Sequence, residues 1–433
     1  MKNLENVTKS DQNRALISST LAFTVCFAVW TIFSIIGIKI KAELGLNDTQ
    51  FGILVATPIL TGSISRLFLG IWADQYGGRL VFVLQMLTTA VAALFLTLAN
   101  SYEMYLLGAL GLGLAGGSFA VGVTYVSAWY PNNKQGTALG IFGVGNVGAA
   151  VTNFAAPILL IAMGGEWRQV VLVYAGILIT TAILFFLFSK TEPAHRDKNR
   201  PVKSFTEQLK PLKNLMVWRF SLYYFFVFGA YVALALWLPR YYMGAYGLEL
   251  ATAGLLAAVF ALPGSVFRAY GGWLSDKVGA RKVMYWTFIV ALISTVIMSY
   301  PATDYSVAGI EGQIEFNITI PLWMFISLSV VLGFFMSLGK AAVFKHIPHY
   351  FPENVGSVGG IVGLIGGLGG FFLPITFGIM NDIIGVWTSC FMLLSLLIAI
   401  ALGWMHFSIR QAEKEVHPDL AEPGFLPELR NIK

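Results

Sequence analysis

The chain has 433 residues, with 28 Lys and Arg against 22 Asp and Glu, 57% hydrophobic residues and only 12% charged ones. A soluble globular chain carries about 25% charged residues, and apolar windows of about 20 residues, long enough to cross a ~30 Å hydrocarbon layer, recur here throughout. This excludes a soluble enzyme, a nucleic-acid binder and a disordered chain, and it assigns the net charge of +6 to basic loops on one membrane face. Cys26 and Cys390 both fall inside apolar runs, so neither a disulfide framework nor a metal site is expected.

In chain order, hydropathy predicts twelve helices over roughly 15–38, 51–71, 80–99, 104–128, 136–162 and 169–189, then 218–239, 251–273, 282–300, 320–344, 355–380 and 386–408. The first is too long for a signal peptide and is followed by Lys39, Lys41 and Glu43 rather than a small-residue cleavage site. No strand-like alternation competes with these runs, so the expectation is an all-α membrane protein. Residues 190–217 are basic and polar, with three prolines, and divide the chain at its midpoint. The expected organisation is a six-helix bundle over 1–189, a cytoplasmic linker over 190–217, a second bundle over 218–410 and a cytoplasmic tail over 411–433. With both termini inside, the cytoplasmic side holds 21 Lys and Arg and the outer side 4. That asymmetry orients the protein in a plasma membrane, the cytoplasmic or inner membrane if the cell is bacterial.

The two halves contain a repeat. Gly62-Ser63-Ile64-Ser65-Arg66 through Gly70, Asp74, Gly77 and Arg79 recurs as Gly264-Ser265-Val266-Phe267-Arg268 through Gly272, Asp276, Gly279 and Arg281, at a constant offset of 202. A weaker copy relates Gly136, Gly140 and Gly143 to Gly356, Gly360 and Gly363. Parallel six-helix repeats about an axis normal to the membrane are the architecture of the major facilitator transporters. The stretches GIWADQYGGR (70–79) and GGWLSDKVGAR (271–281) resemble that superfamily's signature between helices two and three. By that resemblance Asp74, Arg79, Asp276 and Arg281 bond helix ends and gate the cytoplasmic side. The plainer alternative is a helix cap with a positive-inside charge.

Arg66 and Arg268 sit mid-helix at equivalent positions, where an unpaired charge costs at least ~2.5 kcal/mol. An intramembrane salt bridge needs a carboxylate, yet all 22 Asp and Glu fall in loops, termini or helix ends. Two guanidiniums facing one cavity at ~8 Å, with an effective dielectric near ~20, repel by roughly 2 kcal/mol. The missing counter-ion is most simply a substrate, and the planar fork of a guanidinium suits a small oxyanion with coplanar oxygens. The alternative is pairing to backbone carbonyls and water.

Glycine is the second signal: GTALGIFGVGNVG (136–148) in helix five, and eight glycines between 356 and 370 in helix eleven. Close helix packing alone accounts for them; a second reading adds helices that slide and backbone that a small ligand can approach. Asn146, the one polar side chain in the helix-five run, is a candidate donor to the anion. The G-x-G-x-x-G matches at 111–116 and 143–148 follow no strand, so no dinucleotide cofactor is expected. Pro348 between His346 and His349 argues against a metal there, and Asn317-Ile318-Thr319 matches a glycosylation sequon by chance.

The helix-five stretch and GLIGGLGGFFLP (363–374) together resemble the two signature stretches of the nitrate/nitrite porter family, and GSISR and GSVFR match its helix-two and helix-eight arginines. The resemblance implies nitrate or nitrite held between Arg66 and Arg268. It implies an aromatic sandwich of Phe33 (in VWTIFS), Phe119 (in AGGSFA), Tyr224 and Phe228 (in YYFFVFG), with Asn146, Gly360 and Gly363 completing the wall. Gly363 departs from family members that carry a small hydroxyl residue there.

An anion entering a cell at ~150 mV, negative inside, climbs about 3.5 kcal/mol, so uptake must be coupled to proton entry or to exit of another anion such as nitrite. The missing carboxylate argues for exchange. Against that, Lys340 lies within helix ten, and a desolvated lysine releases its proton more readily; alternatively it snorkels to the cytoplasmic surface. GKAAVFKHIPHYFP (339–352) resembles the proton-coupled branch of the family. The expectation is nitrate/proton symport by alternating access in a monomer embedded in the lipid bilayer, with nitrate/nitrite antiport as the alternative. An importer of another small anion, or a membrane enzyme or sensor, is a more distant reading.

Overall fold

A computed structural model describes residues 7–193, 207, 209–351 and 355–416. Its membrane-length helices are α1 (Lys9–Leu44), α2 (Asp48–Tyr76), α3 (Gly78–Thr97), α4 (Tyr102–Trp129), α5 (Thr137–Ala162) and α6 (Trp167–Phe188). The second half has α7 (Leu215–Tyr246), α8 (Leu250–Val266 and Arg268–Val278, bent by 41°), α9 (Ala280–Met298), α10 (Leu322–Ile347), α11 (Ser357–Ile384) and α12 (Ser389–Gln411). Counting α8 as one span gives the twelve that hydropathy predicts, each lying within a few residues of its expected position. Half of the linker (194–206 and 208) and most of the tail (from 417) lie outside the described residues.

Local chemistry sets the ends. The Asn47 side chain accepts from the Gln50 amide while the Gln50 side chain accepts from the Asn47 amide, a reciprocal cap that starts α2. The 202-residue repeat appears as one turn built twice: Gly77 (φ 96, ψ 132) between α2 and α3, and Gly279 (φ 92, ψ 133) between α8 and α9. Only glycine adopts that conformation without strain. Exposed Leu, Ile and Phe, such as Leu184, Leu187 and Phe188 on α6 and Ile289, Ile293 and Val296 on α9, face outward, as a lipid-facing surface requires.

One element departs from the all-helical expectation. Between α9 and α10, β1 (Thr303–Ala308) and β2 (Gln313–Ile318) form an antiparallel hairpin pairing Thr303 with Ile318 and Ala308 with Gln313. Its apolar residues alternate with polar ones, a period of two that a helix-length hydropathy window averages away.

Five spans are irregular. α1 breaks at Thr31–Ile32, α4 and α5 tighten into 3-10 turns at Gly113–Gly117 and Val144–Val147, α7 widens into a π turn at Phe225–Ala230, and α8 breaks at Phe267. Such departures free backbone groups and re-aim side chains, and in membranes they persist where protein or a cavity surrounds them.

At the end of the bundle opposite the linker, the halves are tied by buried charge. Asp48 on α2 accepts from Arg240 Nε and Nη2 of α7 at 3.2 Å each, and from Asn381 Nδ2 of α11 at 3.1 Å; Lys41 Nζ lies 3.1 Å away. Asp382 of α11 in turn accepts from the amides of Asp48 (3.1 Å) and Thr49 (2.7 Å), capping the N-terminus of α2. Removing one partner of such a cluster strands buried charge, at about 3–5 kcal/mol. Asp48→Ala is therefore expected to open this end. Spin labels at the exposed Leu98 and Glu249 positions should show a longer-distance population; a distance distribution identical to that of the parent would mean the cluster does not hold the halves together.

Candidate anion-binding site

Between the halves the structure brings both repeat arginines onto one aromatic ring. Arg66 of α2 is 5% exposed and Arg268 of α8 is 6% exposed. The Arg66 guanidinium carbon lies 5.6 Å from the Phe119 ring centre and that of Arg268 lies 5.4 Å from the same centre. Phe228 (5.0 Å) and Trp30 (5.4 Å) also face Arg66, and Phe344 (5.9 Å) faces Arg268. Tyr224 stacks on Phe228 with ring centres 5.0 Å apart at 11°, and meets Phe344 edge-on at 5.0 Å. The irregular turns supply these groups: the 3-10 turn of α4 ends beside Phe119, the π turn of α7 carries Phe228, and the break in α8 immediately precedes Arg268.

The two arginines are held differently. Arg66 Nε donates to the Gly116 carbonyl (3.2 Å) and Nη1 to the Gly363 carbonyl (3.1 Å), which bridges α4 and α11 from α2. The backbone pairing that the sequence leaves open is thus realised for part of this guanidinium. Arg268 Nη1 is buried with no partner, and so are both side-chain polar atoms of Asn146 in the 3-10 turn of α5. Gly143, one turn before Asn146, abuts Arg268: a Cβ there would sit 3.0 Å from Arg268 Cδ. Orphaned buried donors cost about 1–3 kcal/mol each, and here they lie beside a second buried cation. Among the described residues no carboxylate pairs with Arg66, Arg268 or Lys340.

Glycine opens the remaining wall. A Cβ on Gly363 would meet nothing within 4 Å, and one on Gly360 only Leu67 Cδ2 at 3.8 Å. Its neighbours are tight: a Cβ on Gly366 would lie 2.3 Å from Tyr224 Cδ1, and one on Gly367 2.5 Å from Ser63 Oγ. Close packing therefore holds at Gly366 and Gly367, while Gly360 and Gly363 leave open space on the same helix.

Phe33 is fully buried, but the α1 ring over Arg66 is Trp30, one turn earlier in the same VWTIFS stretch. Trp30 and Phe344, which face Arg66 and Arg268, are not among the residues that the sequence singles out. Lys340 does not snorkel: its side chain is fully buried, with Nζ donating to the Gly264 carbonyl at 2.7 Å and lying 3.1 Å from the Tyr231 ring centre. Tyr231 bonds Ser265 Oγ at 2.6 Å, so Lys340 grips the turn of α8 just before the break at Phe267.

Two of the four loop residues bond helix ends within their own halves. Arg79 donates to the Phe186 carbonyl at 2.5 Å and lies over that ring at 4.5 Å, while Asp276 pairs with Lys345 at the end of α10. Asp74 and Arg281 have partners of their own.

The sequence profile of the Major Facilitator Superfamily matches residues 19–314 and 251–431. The chain is 44% identical over 414 residues to the Probable nitrate/nitrite antiporter NarK1 of Thermus thermophilus, covering 93% of this chain and 92% of that one. It is 32% identical over 403 residues to the Nitrite extrusion protein of Bacillus subtilis (92% and 96% covered), and 34% identical over 384 residues to the Probable nitrate transporter NarT of Staphylococcus haemolyticus (88% and 93%). Among solved structures, a bacterial homologue of the human lysosomal transporter Spinster, in an inward-facing and occupied conformation, superposes with a TM-score of 0.69 at 17% identity (93% and 98% covered). That likeness speaks for the fold alone. Twelve spans in two related halves, paired helix-two and helix-eight arginines and full-length relatives converge on one assignment: the chain belongs to the nitrate/nitrite porter family of the major facilitator superfamily, as a multi-pass membrane transporter.

Proposed function

We propose that this protein imports nitrate by proton symport, holding the anion between Arg66 and Arg268 while the two halves rock about it. The observation that carries the reading is the pair of buried guanidiniums on one ring, with an orphaned Arg268 Nη1 and an orphaned Asn146 amide but no carboxylate. A nitrate there neutralises one of the two charges and accepts from Arg268, Asn146 and the free edge of Arg66. The rings of Phe119, Phe228 and Tyr224 give a flat ion flat walls, and the open side at Gly363 leaves it room. In this reading both termini are cytoplasmic, the Asp48 cluster closes the outer end, and the loops at 70–79 and 271–281 gate the inner one. The protein works as a monomer in lipid and needs no cofactor.

Lys340 is the proton-coupling group in this reading. Its buried ammonium sits beside the site, on a carbonyl four residues before Arg268 and 5.9 Å from the Phe228 ring. Losing its proton removes one of three clustered positive charges and weakens the charge-assisted bond to Gly264, which loosens the turn that aims Arg268. Lys340→Gln is expected to abolish uptake driven by a pH gradient while sparing nitrate/nitrite counterflow. Equal loss of both would give Lys340 a purely structural role.

Nitrate/nitrite antiport is the second reading, supported by the lack of a carboxylate beside the arginines among the described residues and by the name of the Thermus relative. Nitrate uptake into proteoliposomes separates the two. Uptake in empty vesicles under an inward proton gradient, abolished by a protonophore, supports symport. Uptake only with nitrite inside, indifferent to protonophore, supports exchange and retires the role of Lys340.

A further inference from the structure

From the β1–β2 hairpin we infer that this protein carries a lipid-contact device outside its spans: the hairpin lays one face into the membrane–water interface at the end opposite the linker. Register alone sorts its residues. Thr303, Tyr305 and Val307 pair with Ile318, Phe316 and Ile314 on one face, and Asp304, Ser306 and Ala308 pair with Asn317, Glu315 and Gln313 on the other. The first face is almost wholly apolar, with Tyr305 stacked on Phe316 at 5.3 Å. Val307, Ile314, Phe316 and Ile318 are each more than two-fifths exposed, and Ile310 at the tip is fully exposed.

A lone two-stranded hairpin is marginal in water, and an exposed apolar face of this kind marks an interaction surface. The occupant follows from continuity. β1 leaves α9 beyond the outward-facing Ile293 and Val296, and β2 enters α10 at Trp323, which is 69% exposed. Aromatic residues at helix ends sit at the headgroup level, so the apolar face continues the lipid-facing belt of α9 and α10. Tyr305 bonds Tyr300 at the end of α9, which ties the base of that face to the belt. Residues 303–318 hold Asp304, Glu311 and Glu315 but no Lys or Arg. Attraction to anionic lipid therefore plays no part, and contact rests on apolar burial alone.

The test uses environment-sensitive fluorophores on single introduced cysteines in phosphatidylcholine proteoliposomes. Cys26 and Cys390 are fully buried and do not compete for label. Labels at Ile314→Cys and Phe316→Cys should be blue-shifted, quenched several-fold more by nitroxide-bearing lipid than a label at Glu315→Cys, and shielded from iodide. Iodide access equal at all three positions would overturn the proposal, and so would shielding of the apolar-face labels from iodide and lipid alike, which means the face packs on protein. Should either apolar-face substitution disturb the hairpin, Ile310→Cys at the tip reports the same contact.

Discussion

Arg268→Lys is expected to cut nitrate uptake by about 30-fold in kcat/KM, because replacing a planar fork by a point donor loses a charge-assisted hydrogen bond worth about 2 kcal/mol. Arg268→Gln goes further: truncating one partner of a buried charge pair costs about 2–5 kcal/mol, roughly 30-fold to several thousand-fold. The same changes at Arg66 carry a second effect, since Arg66 also bridges the Gly116 and Gly363 carbonyls. Arg66→Lys should therefore lower thermal stability as well as uptake, whereas Arg268→Lys should lower uptake alone. Initial rates in proteoliposomes, beside melting temperatures of the purified variants, check both halves of this statement. Undiminished uptake by Arg268→Lys would mean that bulk positive potential, not a guanidinium fork, serves the anion.

Gly366→Ala is the second large effect. Its Cβ would lie 2.3 Å from Tyr224 Cδ1 and 2.9 Å from Tyr224 Cβ, so Tyr224 has to leave its stack on Phe228. Overpacking of this kind costs about 1–3 kcal/mol, and it displaces the ring stacked on Phe228, which faces Arg66. Uptake should fall about 5-fold to 150-fold on that scale. Gly363→Ser, three residues away on α11, should keep most of its uptake and its melting temperature, because its side chain enters open space. The contrast separates a glycine needed for packing from one that merely lines a cavity. Similar losses for the two variants would contradict it.

Much of this site is legible in the sequence because charge in a membrane is so conspicuous. The offset of 202 pairs Arg66 with Arg268, and the placement of every Asp and Glu in loops, termini or helix ends leaves both without an acidic partner. The two turn glycines, Gly77 and Gly279, follow from the same repeat. Less legible is what depends on helix phase. VWTIFS offers both Trp30 and Phe33, and only the break at Thr31–Ile32 decides which ring reaches Arg66. Lys340 reads equally as snorkelling or buried, because sequence gives its depth but not the face of α10 it occupies. Phe344 lies four residues beyond it, one turn along the same helix, and was hidden for the same reason. The hairpin escaped because its alternating pattern is short and sits between two much stronger apolar runs.

The central claim is that one nitrate sits between the two arginines. Equilibrium binding of nitrate to the purified protein, measured beside Arg268→Gln, tests it most directly. The account predicts one saturable site in the parent protein, displaced by nitrite and not by phosphate, and weakened at least about 30-fold in the variant. Unchanged affinity in Arg268→Gln, in a variant that melts like its parent, would place the anion elsewhere and contradict the account.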